Sequence, residues 1–502
     1  MHTCWSGCIK GRVAVLLFVG GGIAMPVVDV HCHNFNGDDL PVRGFVRHVG
    51  LHDAVGSGAV AALLDAVVQK GAPGFAEEKA RLDSLLGGST FGDGLEGLEP
   101  AERLIDPVDQ LGVEVDAELT ELLQRNPELV RRAGQELAET DAGIEEGLFD
   151  AAKAVRRAVT WAKLFTKSRL DLTGVLTSTY PEVDLFCPML VDLGTALGDQ
   201  AKTTIREQVI LQEQISRLSM LGQLPWPTMA RVHPFVGFDP RHEVRSRRAG
   251  DIDTPLAIVK DAVTRFGFVG VKLYPPMGFR PLHNVAVGDV TAEEAEALND
   301  VLDEFYTWCK DEQVPITAHC NNSQYASPAY QAAGLAGPGG WLDVLGKYAG
   351  LHVNLGHFGG AHAVEHPNAW IWQIANAAAQ FEFLYADVGD HKIHERTLSG
   401  PYLDRLHDMF GRPATAVMGK RLMYGSDWFM LAIYPEWEKF LSTYRDLYRD
   451  KLGSGPADDF MGGNALRFLG FGDPGNKNNR RLRDRYERYA PGRTPAWLAR
   501  PA

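Results

Sequence analysis

Eight short apolar runs, spread between residues 26 and 427, constrain the fold of this chain more than any other feature. The runs lie at 26–31, 183–191, 232–238, 268–274, 314–319, 351–357, 382–388 and 421–427. Most are followed by a helical pattern or by a loop rich in Gly and Pro. Strands that are apolar along their whole length are typical of a parallel sheet covered on both faces by helices. Eight such units predict an α/β fold, the (β/α)8 barrel, with a doubly wound open sheet as the alternative.

The first two runs are separated by about 150 residues, many more than a single crossover needs. We therefore predict that residues 51–180 form an insertion, and that the barrel comprises 26–50 and 181–470. Segments such as 117–139 and 151–165 place apolar residues at helical spacing, so the insertion is expected to be helical. An insertion after the first strand lies over the carboxyl-end face of a barrel, where it would be a cap. A peripheral bundle is the alternative.

Composition limits the classes of function. Hydrophobic residues make up 45% of the 502 positions and charged residues 23%, which excludes a mostly disordered chain or a polytopic membrane protein. The net charge of −14 favours no nucleic-acid partner, and residues 91–150 alone contain 17 acidic residues and four Arg. Six Cys without a CxxC pair form no disulfide framework and favour a reducing compartment. We expect a small-molecule substrate and no membrane partner, and a homo-oligomer is compatible with the sequence.

Both termini differ from the barrel in character. Residues 1–25 are an extension in which Lys10 and Arg12 precede a short apolar run, as in a signal peptide. The competing interpretation is that Met25 is the natural start, which gives the cytoplasmic enzyme that we favour over an exported one. Residues 471–502 form a basic tail that is either solvated or docked on the acidic insertion.

Polar side chains at the ends of the apolar runs are the candidate catalytic groups. They are His31, His33, Lys272, His319, His357 and Asp427. His31 and His33 are two residues apart, so a strand directs both imidazoles to one face, where they form half of a metal site. Burying so many polar groups without partners is costly, and one shared metal centre explains them together. Asp387, on the seventh run, is expected close behind the ligands.

These motifs resemble the amidohydrolase superfamily of metal-dependent barrels. The pattern reads DVHCH, GVKLY, TAHC, LGHFGG and GSDW along this chain. The segments PFVGFDPR (234–241) and GNALRFLG (463–470) are most similar to the amidohydrolase-2 branch, which includes lactone hydrolases and aminocarboxymuconate-semialdehyde decarboxylase. The resemblance covers about 26–36 and 183–470, and it leaves the insertion out.

The resemblance implies a ligand set. His31, His33, His319 and Asp427 are expected to bind a divalent ion such as Zn²⁺, and His357 to be either a ligand of a second metal or a catalytic acid or base. Lys272 resembles a lysine that is carboxylated and bridges two metals in dihydroorotase. It can also remain an ammonium that binds a substrate carboxylate, and we favour this arrangement with one metal.

The implied activity is hydrolysis by metal-activated water, with Asp427 accepting the proton of the water and His357 stabilising the oxyanion. We expect an amide, lactone or related bond in a small carboxylated substrate. A metal-dependent non-oxidative decarboxylase is the alternative. The candidates for substrate binding are Tyr274, Arg280, Asn321 and Trp428, among which an arginine can clamp a carboxylate. The chain has no G-x-S-x-G motif, which argues against a serine hydrolase.

Overall fold

The computed structural model describes about 70% of the chain, and every statement of structure below refers to this part. The described residues are 25–45, 72–87, 160–161, 163–197, 200–286, 290–321, 332–360, 369–391, 393, 396–432, 434 and 436–498. The signal-like run before Met25, the acidic stretch 91–150 and the predicted helix at 117–139 lie outside these residues. Within them, no helix is both long enough and apolar enough to cross a membrane.

The strands of the described residues are all paired in parallel, as the apolar runs predict. They are β1 (Val28–Cys32), β2 (Leu185–Pro188), β3 (Arg231–Val232), β4 (Phe235–Gly237), β5 (Gly270–Leu273), β6 (Ile316–His319), β7 (Val353–Gly356), β8 (Leu384–Asp387) and β9 (Leu422–Met423). The pairing order is β1-β2-β3 in one sheet and β4 to β9 in the other. Each predicted run overlaps an observed strand, and the strands are shorter than the runs because their ends belong to loops.

One predicted strand, 232–238, is interrupted in the structure. His233 and Pro234 separate β3 from β4, and Pro234 has no backbone N–H to donate to a neighbouring strand. The His233 N–H donates to the carbonyl of Phe186 in β2, whereas the Pro234 carbonyl accepts from Val269 beside β5. The segment therefore changes its pairing partner at the proline, and β3 and β4 act as one strand of the barrel.

Backbone hydrogen bonds join the two sheets at both edges. Met189, just after β2, forms a parallel bridge with Phe235 in β4, and the Leu190 N–H donates to the Phe235 carbonyl at 3.0 Å. At the other edge, the Val30 N–H in β1 donates to the carbonyl of Tyr424 after β9 at 3.3 Å. The strands thus form a ring in which β3 and β4 count once. The fold is the (β/α)8 barrel predicted from the eight runs.

Helices follow the strands and cover the barrel. The longer ones are Phe75–Leu86, Arg169–Thr179, Ile205–Leu221, Pro240–Ala249, Pro255–Arg265, Ala292–Asp311, Gly339–Lys347, Trp370–Ala377, Arg396–Gly411, Phe440–Leu452 and Lys477–Tyr489. Short turns of helix lie at Val42–Phe45, Gly194–Leu197, Ala332–Leu335, Trp428–Leu431, Ser454–Asp458 and Asn464–Phe468. Their starts carry ordinary capping signals: Thr204 and Glu207 form a capping box, and Thr254 caps a helix that begins with Pro255.

The described part of the insertion contacts the carboxyl-end face of the barrel. The Trp161 indole donates to the Phe429 carbonyl at 3.2 Å, and the Phe165 ring lies 5.4 Å from that of Phe429. Arg169, at the start of a helix, is fully buried and pairs with Asp39 in the loop after β1 and with Glu78. These contacts place this part of the insertion beside the strand ends that carry the candidate ligands.

The basic segment after residue 471 forms a helix on the opposite end of the barrel. Leu482 and Tyr486 are buried in a cluster that includes Val28 of β1. Lys477 pairs with Glu312 at 3.0 Å, and Arg485 pairs with Glu213. The segment is therefore packed against the amino ends of the strands and is not a solvated tail, because its helix has one apolar face.

Candidate metal centre

The two histidines of the first strand both present an unprotonated Nε2. His31 Nδ1 lies 2.9 Å from Asp387 Oδ1, and His33 Nδ1 lies 2.9 Å from the Met189 carbonyl oxygen. A carboxylate and a carbonyl only accept hydrogen bonds, so each Nδ1 must carry the proton. Each Nε2 then keeps its lone pair, which is the arrangement of metal-ligating histidines.

Asp427 completes a cluster with these two histidines. The ligand atoms of His31, His33 and Asp427 lie within 4.8 Å of one another, and all three residues are buried. Asp427 Oδ1 lies 3.3 Å from His33 Nε2, yet no described residue donates a hydrogen bond to it. A buried carboxylate oxygen without a donor is costly unless a cation neutralises it. The donor set of two imidazoles and one carboxylate therefore fits a divalent ion such as Zn²⁺.

The backbone of Asp427 is in the left-handed region, with φ of 49° and ψ of 39°. Residues other than glycine adopt this conformation at a cost, and it persists only where the surroundings enforce it. Here the Asp427 N–H donates to the His31 carbonyl at 2.7 Å. This bond turns the chain after β9 so that the carboxylate faces the histidines of β1.

His319 and His357 lie beside this cluster and are not among its converging ligand atoms. Their ring centroids are 4.6 Å apart, and the centroids of His357 and His31 are 4.8 Å apart. His319 Nε2 is buried and has no hydrogen-bond partner among the residues described. His357 Nδ1 donates to the Gly389 carbonyl at 3.0 Å, which leaves its Nε2 lone pair free. In this tautomer the Nε2 of His357 can accept a proton or bind a cation.

The protonation states suit a cation. Burial lowers the pKa of His33 and His319, and burial together with the His31 imidazole lowers that of His357 to about 3. Burial alone would raise the pKa of Asp427, but the neighbouring imidazoles outweigh it and lower that pKa to about 2. At neutral pH His33, His319 and His357 are thus neutral and Asp427 is ionised, the forms that bind metals.

Lys272 is the sixth predicted group, and it contacts the cluster directly. It is fully buried in β5, and its Nζ lies 3.0 Å from His31 Nε2 and 4.8 Å from the centroid of the Tyr274 ring. Burial lowers its pKa to about 8, although Asp387 and Asp427 act in the opposite direction. A neutral amine at this position is compatible with a carbamate, and an ammonium is compatible with a substrate carboxylate. Both interpretations of Lys272 stay open.

Asp387, the last residue of β8, accepts hydrogen bonds from two of the candidate ligands, His31 and His357. Besides His31, it accepts hydrogen bonds from Asn354 Nδ2 at 2.7 Å, from the Gly389 N–H at 2.9 Å and from the His357 N–H at 3.2 Å. Burial would raise its pKa, but the His31 and His357 imidazoles outweigh that effect and lower it. Asp387 therefore fixes the tautomer of one candidate ligand and the backbone of another.

Three residues that the sequence analysis did not single out also support the site. Asp29 and Ser426 form a buried pair beside the ligands, and burial raises the pKa of Asp29 to about 7. His391 Nε2 lies 2.7 Å from the His357 carbonyl oxygen. Asp29 had a signal in the sequence, since it is an acidic residue in an apolar run, two positions before His31. His391 follows β8 in a loop, where spacing gives no information.

The candidates for substrate binding are placed differently from one another. Tyr274 is partly exposed and stacks on His319 with centroids 5.7 Å apart, and Asn321 Oδ1 approaches Gly360 in the loop after His357. The buried Nε of the half-buried Arg280 contacts no described acceptor, so its guanidinium can bind an anion. Trp428 is fully buried, and its indole donates to the His33 carbonyl. It supports the histidine motif from behind and offers a substrate no exposed face, contrary to expectation.

The family comparison agrees with the motifs. Residues 245–471 match the amidohydrolase family model, and GVKLY, TAHC, LGHFGG and GSDW all lie inside this range. The match confirms the resemblance over these residues. The first strand, with its histidine pair, lies outside the matched range. No protein of curated function matches the chain.

Several solved structures are similar to this chain at low identity. The 4-oxalomesaconate hydratase LigJ from Rhodopseudomonas palustris is 13% identical over 92% of this chain and 99% of its own, with a TM-score of 0.41. An amidohydrolase from Burkholderia multivorans with bound zinc is 14% identical over 57% of this chain and 84% of its own, with a TM-score of 0.34. Dihydroorotase from Campylobacter jejuni is 12% identical over 59% and 80%, with a TM-score of 0.34. At these TM-scores, the likeness carries no argument about the site.

Proposed function

We propose that this protein is a metal-dependent hydrolase that acts on an amide, lactone or related bond of a small carboxylated substrate. One observation carries the proposal: His31, His33 and Asp427 converge within 4.8 Å, and the buried Asp427 Oδ1 receives no hydrogen bond within the described structure. A bound cation would offset the cost of burying this oxygen without a donor. The amidohydrolase match over residues 245–471 supports the same class.

The residues divide the chemistry among them. When bound, a divalent ion would activate a water molecule and polarise the scissile carbonyl. Asp427, which is ionised and has a free oxygen, can accept the proton that the attacking water loses and return it to the leaving group. His357, through its Nε2 lone pair, either binds the cation or accepts a proton. Arg280 and Lys272 supply the positive charge that would bind a substrate carboxylate.

Metal analysis tests the proposal. The wild-type protein, reconstituted with Zn²⁺ and freed of excess, is expected to retain about one equivalent. His33→Ala should lose this metal, because it removes one of three converging ligands. His352→Ala is the matched control, since His352 donates to the Phe468 carbonyl near the amino end of β7 and should leave the metal content unchanged. Less than about a tenth of an equivalent in the reconstituted wild-type protein would contradict the proposal.

A substrate panel tests the reaction. Lactones, amides and carboxylated aromatic compounds are incubated with the metal-loaded protein, and acid release and CO₂ are both measured. We expect turnover of a carboxylated lactone or amide without CO₂. CO₂ release from a carboxylated aromatic compound, without hydrolysis of any lactone or amide, would favour the decarboxylase.

A further inference from the structure

Asp29 and Ser426 form a buried hydrogen-bonded pair that links the first strand to the turn after the last one. Ser426 Oγ donates to Asp29 Oδ2 at 2.6 Å, and the Ser426 N–H donates to Asp29 Oδ1 at 3.0 Å. Both residues are fully buried, although they are 397 positions apart in the sequence. The pair therefore exists only because the barrel closes at this edge.

The other hydrogen bonds of the pair end on one candidate ligand, His31, and on the neighbour of another, Asp427. Ser426 Oγ accepts from the Trp428 N–H at 3.1 Å, and Asp29 Oδ1 accepts from the His31 N–H at 3.3 Å. The backbone positions before and after Asp427 are thus both tied to the pair. The direct bond from the Asp427 N–H to the His31 carbonyl lies between them.

A strained residue needs such support. Asp427 has a left-handed backbone, which a residue other than glycine adopts only at a cost in energy. If the ties on either side were lost, the turn could relax to an extended or right-handed conformation. Its carboxylate would then move away from the Nε2 atoms of His31 and His33. A loss of these ties should therefore weaken cation binding, and not only the stability of the fold.

We propose that Asp29 is a positioning residue which, through Ser426, holds the Asp427 carboxylate against the histidines of β1. This inference rests on the proposed function, since it concerns the same cation site. Asp29 itself contacts neither the cation nor the substrate in this arrangement. It acts through the geometry of the three ligand residues.

The test measures Zn²⁺ affinity by competition with a chromophoric chelator in the full-length protein. Asp29→Leu removes every acceptor at nearly constant volume and should weaken Zn²⁺ binding by about 10- to 100-fold, the usual effect of losing support behind a ligand. Asp29→Asn keeps an oxygen for the two backbone N–H groups and should restore most of the affinity. Ser426→Ala should give an intermediate loss. The double variant Asp29→Leu/Ser426→Ala should bind Zn²⁺ no more weakly than Asp29→Leu, because both substitutions disrupt the same hydrogen-bonded pair.

Ser216→Ala is the matched control. Ser216 is as buried as Ser426, and its Oγ lies 3.2 Å from His233 Nδ1, away from the cluster. Its substitution should leave the Zn²⁺ affinity unchanged. The absorption spectrum of the Co²⁺-loaded protein gives a second readout, since a displaced carboxylate changes the coordination geometry of the ion.

The outcomes separate the two hypotheses. If the wild-type protein binds no Zn²⁺, the proposed function fails and this inference fails with it. If the wild-type protein binds Zn²⁺ and both Asp29→Leu and Ser426→Ala bind it equally well with unchanged Co²⁺ spectra, the inference alone is wrong. Should Asp29→Leu not fold, Ser426→Ala decides the question against Ser216→Ala.

Discussion

Replacement of Asp387 is the most informative perturbation of the site, because the structure predicts different results for two substitutions. In Asp387→Asn, an oxygen at the Oδ1 position still accepts from the His357 and Gly389 N–H groups and from His31 Nδ1. The new amide nitrogen would replace Oδ2 and face Asn354 Nδ2, a donor. However, Asn354 Oδ1 is buried without a partner among the described residues, so this amide can rotate and accept. His31 Nδ1 also lies 3.0 Å from Oδ2, so it keeps one acceptor oxygen of two, and the negative charge is lost.

The magnitude follows from the difference between two kinds of hydrogen bond. A bond to a charged group contributes about 1.5–3 kcal/mol and a neutral one about 0.5–1.5 kcal/mol, so the His31 contact loses about 1–1.5 kcal/mol. This corresponds to an approximately tenfold loss of Zn²⁺ affinity. Asp387→Ala removes the acceptor from His31, Asn354 and two backbone groups, which frees the His31 ring. We expect a loss of about 100-fold from this variant.

The Zn²⁺ affinity of both variants is measured at one fixed pH by competition with a chromophoric chelator. Asp192→Asn is the control, because Asp192 accepts from His242 Nδ1 at 3.0 Å in another aspartate–histidine pair outside the cluster. That variant should bind Zn²⁺ as the wild-type protein does. A wild-type affinity in folded Asp387→Ala would refute the reasoning, since the orientation of His31 would then not depend on Asp387.

Two further predictions concern stability. Arg169→Met leaves the buried carboxyl groups of Asp39 and Glu78 without their cation and should destabilise the fold by about 3 kcal/mol. Burial already raises the pKa of Glu78 to about 7, so both carboxyl groups can take up protons in the variant. Urea unfolding should therefore show a larger loss of unfolding free energy at pH 8 than at pH 6. Equal losses at the two pH values would contradict this account. Burial lowers the pKa of His233 to about 3, well below its ordinary value of 6.5. Below pH 6.5 the unfolded chain therefore binds a proton at His233 that the folded chain does not bind. The contribution of His233 to the free energy of unfolding is present above pH 6.5 and falls by about 1.4 kcal/mol per pH unit toward pH 3. Between pH 7 and pH 5, the free energy of unfolding of His233→Gln should fall by about 2 kcal/mol less than that of the wild-type protein. If the free energies of unfolding of the two proteins change in parallel with pH, His233 is not a buried neutral imidazole.

Local pattern was sufficient to predict the barrel and its candidate ligands. An apolar strand that ends in a polar residue predicts that the strand is buried and that the polar side chain lies at its end, as in TAHC and LGHFGG. The period of two along a strand is enough to predict that His31 and His33 share a face. The interruption at Pro234 was not anticipated, because the apolar run continues across it while the hydrogen-bond partner changes.

The supporting contacts could not be predicted in the same way, since each joins residues from distant parts of the chain. Trp428 has the sequence position of a residue facing the substrate, but the short helix after Asp427 turns its indole toward the His33 carbonyl. The tautomer of His357 depends in the same way on the Gly389 carbonyl, which accepts from its Nδ1. Such partners depend on loop conformation, which the spacing of residues does not encode.

The sequence by itself determined which strands are buried and which chemical groups stand at their ends, because both are properties of a few consecutive residues. Only the tertiary structure decided that Lys272 approaches His31, that Asp387 holds its ring, and that Asp29 reaches Ser426. The physical reason is closure of the barrel. The register of parallel strands sets the distances between their ends, and hydrogen bonds then select one tautomer and one backbone conformation at each candidate ligand.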